Sequence, residues 1–269
     1  MRLVLLLRLL FILLIPATAF ADLRLVVLSP DLTENIFSLG KGNWVVGRVS
    51  TADYPEKLLT VPVIGDYQSL DAEAIVQLEP DYVMAWQGGN PERQLTYLES
   101  LGLNVVRIKG DTLSEIPTQL IELGNLLKAE AEADDLVAEF HSRLASSAVK
   151  VRQPKRVFYQ LWSDPMLTLN ALSVVSEAID HCGGVNLYKD QPEMAPQVSI
   201  ESVISMNPEL ILASDGLPDT WREVWQQWPF IDAVRNQNLY KINSDYLHRL
   251  TMRTLDGVDE VCDILSRMD

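Results

Sequence analysis

Two spacings of apolar residues alternate along this chain. Short apolar runs, Leu25-Val26-Val27-Leu28, Val83-Met84-Ala85-Trp86, Val105-Val106-Arg107-Ile108 and Val157-Phe158-Tyr159-Gln160-Leu161, have the length and β-branched content of buried strands. Between them lie stretches with helical spacing. Ser29-Pro30 ends the first strand, and Thr33 to Leu39 reads as a helix stopped by Gly40. Strands that alternate with helices predict an α/β fold in which helices cover parallel sheets. One helix stands apart. Asn125 to Gln153 contains neither Gly nor Pro, and Leu136, Phe140 and Leu144 recur every four residues as one apolar stripe. Acids crowd its start (Glu130, Glu132, Asp134, Asp135) and bases its end (Arg143, Lys150, Arg152), which suits the helix dipole. A helix of some 20 residues would reach about 30 Å, enough to cross between two lobes.

The pattern also repeats. Glu73 to Ala85 (EAIVQLEPDYVMA) aligns without gaps to Glu201 to Ala213 (ESVISMNPELILA), so that Glu73 pairs with Glu201, Pro80 with Pro208 and Asp81 with Glu209. Each copy reads as a helix broken near Pro and followed by a buried strand. Duplication on either side of a long helix predicts two similar lobes with a cleft between them, and such clefts favour ligands.

The first 21 residues differ from everything after them. Arg2 and Arg8 are the only charges, an apolar run from Leu9 to Ile15 follows, and the segment ends Ala19-Phe20-Ala21. This is the layout of a cleaved export signal; the alternative, a membrane anchor, needs about 20 apolar residues. The expected division is therefore 1–21 signal peptide, 22–128 first lobe, 129–153 connecting helix and 154–269 second lobe. No Cys follows the cleavage point to carry a lipid, so the periplasm is the expected location. The full chain carries a net charge of −15, and losing the two leader arginines makes it more acidic still. Nucleic acid and anionic membrane surfaces are poor partners for such a chain. In an oxidising compartment the two cysteines, Cys182 and Cys262, read first as a disulfide, with buried free thiols as the alternative.

Candidate chemistry is sparse. The three histidines are scattered: His141 on the connecting helix, His181 beside Cys182, and His248. They nominate no multi-histidine metal site, and neither a nucleophile elbow nor a zinc-protease or phosphate-loop motif occurs. Nothing nominates a catalytic residue. The most specific segment is Ala85-Trp86-Gln87-Gly88-Gly89-Asn90-Pro91-Glu92-Arg93-Gln94. It holds Trp86 at the carboxyl end of a strand, where open α/β sheets bind ligands, although Trp86 alone reads equally well as core. The two glycines allow a tight turn, and Asn90 is placed to cap a helix beginning at Pro91. Trp221, Trp225 and Trp228, at i, i+4 and i+7, read as one packed helix face.

Together the AW-x-GGN-x-ERQ segment, Asp53-Tyr54-Pro55, Cys182-Gly183-Gly184-x-Asn186 and Pro196-Gln197-Val198-Ser199 resemble the vitamin B12-binding members of the helical-backbone (class III) periplasmic substrate-binding proteins, in the same order from Leu25 to Asp269. The resemblance implies two Rossmann-like lobes joined by one long helix. It implies cobalamin or a related corrinoid as transported ligand, with no cofactor and no catalysis. It further implies a monomer that delivers its ligand to the permease subunits of an ABC importer. Carried over residue by residue, it places Trp86 in the cleft and Tyr67 where the family has a tryptophan. It places Asp245-Tyr246-Leu247-His248-Arg249 on a ligand-contacting segment. Thr51 stands where the family has a cleft tyrosine and Ala195 where it has an aromatic, and Trp162 is a candidate substitute. Glu73 and Glu201 match the two transporter-docking glutamates, and Cys182 and Cys262 the family disulfide. On the same scaffold, haem or a ferric siderophore is the alternative ligand; an exported enzyme is the alternative class.

Overall fold

The computed structural model describes residues 22–66, 69–148 and 153–268. The leader 1–21, Tyr67 and the join 149–152 lie outside the described residues. In chain order the elements are β1 (Leu25–Val27), α1 (Pro30–Ser38), β2 (Val45–Arg48), α2 (Ala72–Gln77), β3 (Tyr82–Trp86), α3 (Glu92–Ser100), β4 (Val105–Ile108), α4 (Ile116–Leu127) and α5 (Glu130–Ser147). There follow β5 (Lys155–Gln160), β6 (Trp162–Ser163), β7 (Met166–Leu167), α6 (Val174–His181), β8 (Gly184–Asn186), α7 (Ile200–Met206), β9 (Leu210–Ser214), α8 (Trp221–Gln226), α9 (Asp232–Arg235), β10 (Leu239–Ile242), α10 (Ser244–Leu247) and α11 (Thr254–Ser266).

Both large sheets are parallel and have one topology. The first runs β2-β1-β3-β4 and the second β8-β5-β9-β10, so each lobe takes its strands in the order second, first, third, fourth. The 128-residue offset of the repeat holds down to single residues. Asp71 and Ser199 cap α2 and α7 by accepting from the N–H of Ala74 and of Ser202, and Glu79 and Asn207 follow with φ of 44° and 46°. A further equivalence joins them: Arg24 donates to the Leu78 carbonyl (2.7 Å) and through its N–H to Asp81 (2.7 Å). Arg156 donates to the Asn207 carbonyl (3.0 Å) and through its N–H to Glu209 (3.0 Å). The duplicated unit is thus helix, left-handed turn and strand, locked by an arginine at the start of the central strand.

Strand periodicity decides the second core. Val157 and Tyr159 of β5 and Leu210 and Leu212 of β9 pack on one face with α6 and α11, while Phe158, Ile211 and Ala213 pack on the other with Trp221 and Trp225. Trp221 and Trp225 form a buried helix face, and Trp228 lies beyond its end.

The expected connecting helix stops at Ser147 and starts at Glu130, because Lys128 adopts a left-handed conformation that splits it from α4. Two helices therefore share the bridge. Leu123 and Leu127 of α4 and Ala133 of α5 belong to the first core; Ile116, Leu120 and Phe140 belong to the second. The helices touch where a Cβ on Gly124 would come within 2.6 Å of Ala133. One other expectation shifts and one holds. The first helix begins at Pro30, not Thr33, because Ser29 caps it through Leu32 N–H. The cysteines are joined: Cys182 at the end of α6 is disulfide-bonded to Cys262 in α11.

Candidate functional site

The carboxyl ends of the strands of both sheets face one cleft. Its floor is a largely apolar pocket of about 150 Å³, lined from the first lobe by Trp86, Gly110 and Asp111 and from the second by residues that include Leu161, Val174, Met194 and Leu247. That is well below the roughly 300 Å³ of a pocket that encloses a drug-sized ligand, so a broad ligand would lie across it in the open cleft. Roomier hollows beside Phe37 and beside Tyr97 are each built by one lobe alone.

Trp86 is held rigidly. Its Nε1 donates to the Gly110 carbonyl at 2.9 Å, and its backbone N–H donates to Asn90 Oδ1 at 2.7 Å. The indole lies over Gly89, where a Cβ would come within 1.7 Å of the ring. Gly88 takes φ +95°, which closes the turn. Asn90 does not cap the following helix, as the sequence suggested. It is buried, and its amide donates to the Leu28 carbonyl at 3.0 Å, tying the ends of β1 and β3 together. The helix begins at Glu92 without a side-chain cap, and Glu92 pairs with Arg107.

Trp162 stands on the β6–β7 hairpin, 54% exposed, with Nε1 donating to the Asp164 carbonyl at 3.2 Å. Trp162 is therefore not a core residue. Leu172 and Met194 are also exposed on the second lobe, and Met194 lines the pocket beside the exposed Ala195. His248 lines the pocket, with its ring turned inward so that Nε2 lies 2.6 Å from the hydroxyl of buried Tyr159. Withdrawal of the ring from water lowers the His248 pKa against the pull of Asp215 and Asp245. Leu247 is fully buried and reaches the ligand side only as pocket lining.

The other end of the cleft is ionic and crosses between lobes. Arg249 Nη1 lies 2.9 Å from Glu34 and 2.7 Å from Asp53, and its Nη2 lies 2.8 Å from Asp245 and 3.5 Å from the Thr51 carbonyl. Its side chain is 11% exposed and that of Glu34 3%. Arg253 also reaches Glu34, at 3.1 Å, and is sandwiched between the rings of Tyr54 (4.1 Å) and Tyr246 (4.9 Å). Burial pushes the Glu34 carboxyl up while Arg249 and Arg253 hold it down; Arg249 draws Asp53 below the ordinary carboxylate range. Beside this cluster, Asn35 donates to the Leu250 carbonyl at 2.8 Å. Sequence reasoning missed Glu34, Asn35 and Arg253. Their contacts across the cleft join positions far apart in the chain, 215 residues for Glu34 with Arg249 and for Asn35 with Leu250 and 219 for Arg253 with Glu34, and no local pattern marks them.

Glu73 and Glu201 lie outside the cleft, exposed in the first turns of α2 and α7, at equivalent points of the repeat. His141 is exposed on α5, and His181 Nε2 contacts Ser147 Oγ at 3.1 Å, a local contact. Among the described residues, no cluster of His, Cys, Asp and Glu is arranged to hold a metal ion, and no helix is long and apolar enough to cross a membrane.

Two parallel-sheet lobes bridged by paired helices, with a cleft lined by one tethered tryptophan, give the architecture of a two-lobed binding protein. Residues 25–246 match the family Periplasmic binding protein, and the chain belongs to that family. It is 33% identical over 252 residues to the Vitamin B12-binding protein of Vibrio cholerae serotype O1, covering 93% of this chain and 91% of that protein. The crystal structure of the periplasmic vitamin B12-binding protein BtuF of Vibrio cholerae superposes with a TM-score of 0.82 at 33% identity, covering 91% of this chain and 96% of that one. The periplasmic haem-binding protein HutB of Vibrio cholerae superposes with a TM-score of 0.81 at 23% identity, covering 91% and 99%, a likeness of fold.

Proposed function

We propose that this chain captures cobalamin or a related corrinoid in the periplasm and hands it to an ABC importer. The observation that carries this reading is a cleft with a flat, tethered indole at its floor and an array of hydrogen-bond acceptors at its rim. A corrin ring has an apolar body and amides around its edge, and the two ends of the cleft suit those two parts. Tyr67, Trp86 and Trp162 would cover the body. Thr51, Asp245, Tyr246, Leu247, His248 and Arg249 would flank the rim, with Leu247 acting from beneath. Cobalt arrives with its own ligands and is cargo here, so no resident cofactor is needed.

In this reading residues 1–21 are a cleaved leader and the mature protein works as a monomer, with lobes 22–128 and 154–269 joined through 129–153. Glu73 and Glu201 would engage the permease, since two equivalent exposed carboxylates suit arginines on a pseudo-symmetric partner. Absorption spectroscopy tests the ligand: after mixing and dialysis, protein 22–269 should retain cyanocobalamin and not haemin, and retention of haemin alone would overturn the assignment. Glu73→Ala with Glu201→Ala should spare cobalamin retention and abolish uptake by cells; normal uptake would refute the docking role.

A further inference from the structure

We propose that Asp53 and Asp245 make the cleft select ligands with an uncharged, amide-bearing rim and reject ligands whose rim carries carboxylates. The inference rests on the corrinoid reading above and deepens it. Both guanidiniums at the ionic end of the cleft are already engaged. Arg249 meets Glu34, Asp53 and Asp245 at 2.9, 2.7 and 2.8 Å, and its side chain is 11% exposed. Arg253 meets Glu34 at 3.1 Å and stacks between two tyrosine rings. Neither presents a free fork to an incoming carboxylate.

What the rim does present is acceptors. The Asp53 and Asp245 side chains are 54% and 45% exposed, so oxygens of each face solvent while also holding Arg249. An ionised carboxylate only accepts hydrogen bonds, and a primary amide has two N–H groups to donate. A ligand amide therefore finds a partner where a ligand carboxylate would meet a like charge. Arg249 keeps Asp53 ionised at neutral pH, and Asp111, on the pocket wall, adds acid on the first-lobe side. The sites are partly exposed, so the discrimination should be on the order of tenfold per ligand carboxylate and weaken with salt.

The experiment titrates protein 22–269 with cyanocobalamin and with its derivatives whose peripheral amides are hydrolysed to one or two carboxylates, in low and high salt. The wild type should bind the full amide about tenfold tighter than the monocarboxylate and about a hundredfold tighter than the dicarboxylate in low salt. The gap should narrow in high salt and in Asp53→Asn with Asp245→Asn. Equal affinities in the wild type, or a gap that the double substitution leaves unchanged, would overturn the inference. Should the wild type bind no corrinoid, the ligand assignment falls separately, and the charge filter is read with haemin, whose propionates are anionic. A double variant that gains haemin binding over the wild type upholds the filter; one that gains none overturns it. Thermal unfolding of the double variant confirms that it is folded.

Discussion

Replacing Arg249 with Met tests whether the ionic end of the cleft holds the two lobes together. Met keeps an unbranched apolar stem and removes the charge. The loss leaves Glu34, 3% exposed, with Arg253 as its remaining cationic partner, and leaves Asp53 and Asp245 facing it without neutralisation. Removing one partner of a buried ion pair costs about 3–5 kcal/mol. Arg253 stays in contact with Glu34, so the lower end applies, about 3 kcal/mol at pH 7. The pH dependence has a definite sign. Burial already raises the Glu34 pKa above 4.5, and Arg249 heads the influences that hold it down. Without Arg249 it rises further, and the stability associated with protonated Glu34 is present at low pH and lost as pH rises through the folded value. Asp53 has the same sign but acts at lower pH, so Glu34 carries the change between pH 7 and pH 4. The folded pKa of Asp53 is lowered by Arg249, so its contribution in the wild type is present above 3.8 and lost as pH falls. The deficit of the variant should therefore shrink from pH 7 toward pH 4. Urea unfolding followed by tryptophan fluorescence, at both pH values, measures it. A deficit under about 1 kcal/mol at pH 7, or one that is the same at pH 4, would refute the reasoning.

Gly89→Ala should displace the indole of Trp86, because the new methyl would fall within 1.7 Å of the ring. Ligand affinity should drop by tenfold or more with little loss of fold stability, as binding titration and thermal unfolding would show. Cys182→Ser with Cys262→Ser opens a loop of 80 residues and should lower stability by up to about 4 kcal/mol in the chain-entropy picture. Calorimetry of reduced and oxidised wild type checks the same quantity. Phe140→Ala should cost about 3–5 kcal/mol, since the ring is fully buried where α5 enters the second core, and urea unfolding reads it directly.

The repeat was the most legible part of the fold. Its 128-residue offset predicts a cap, a turn and a strand that correspond position by position, because each is set by local propensity and by alternation within a short window. Two kinds of feature were not legible. Lys128 carries no sequence mark of a break, yet its left-handed backbone divides the expected bridge into α4 and α5. Asn90 has the look of a helix cap, and its buried partners are strand ends instead, Trp86 beside it and Leu28 far behind. Trp86 was visible as a candidate through its place at a strand end and through the family resemblance; its tether to Gly110 and its seat on Gly89 depend on the fold. Within the interlobe cluster, Glu34 and Arg253 were invisible for the same reason. Glu34 sits in a helix whose pattern marks it as an ordinary polar position, and only the packing of one lobe on the other brings two arginines to it.

The central claim is that this cleft binds a corrinoid. Isothermal titration of protein 22–269 with cyanocobalamin tests it most directly. The account predicts one site per chain, saturated at micromolar concentrations and weakened at least tenfold by Trp86→Ala. No heat of binding at micromolar concentrations, or binding indifferent to Trp86→Ala, would contradict it.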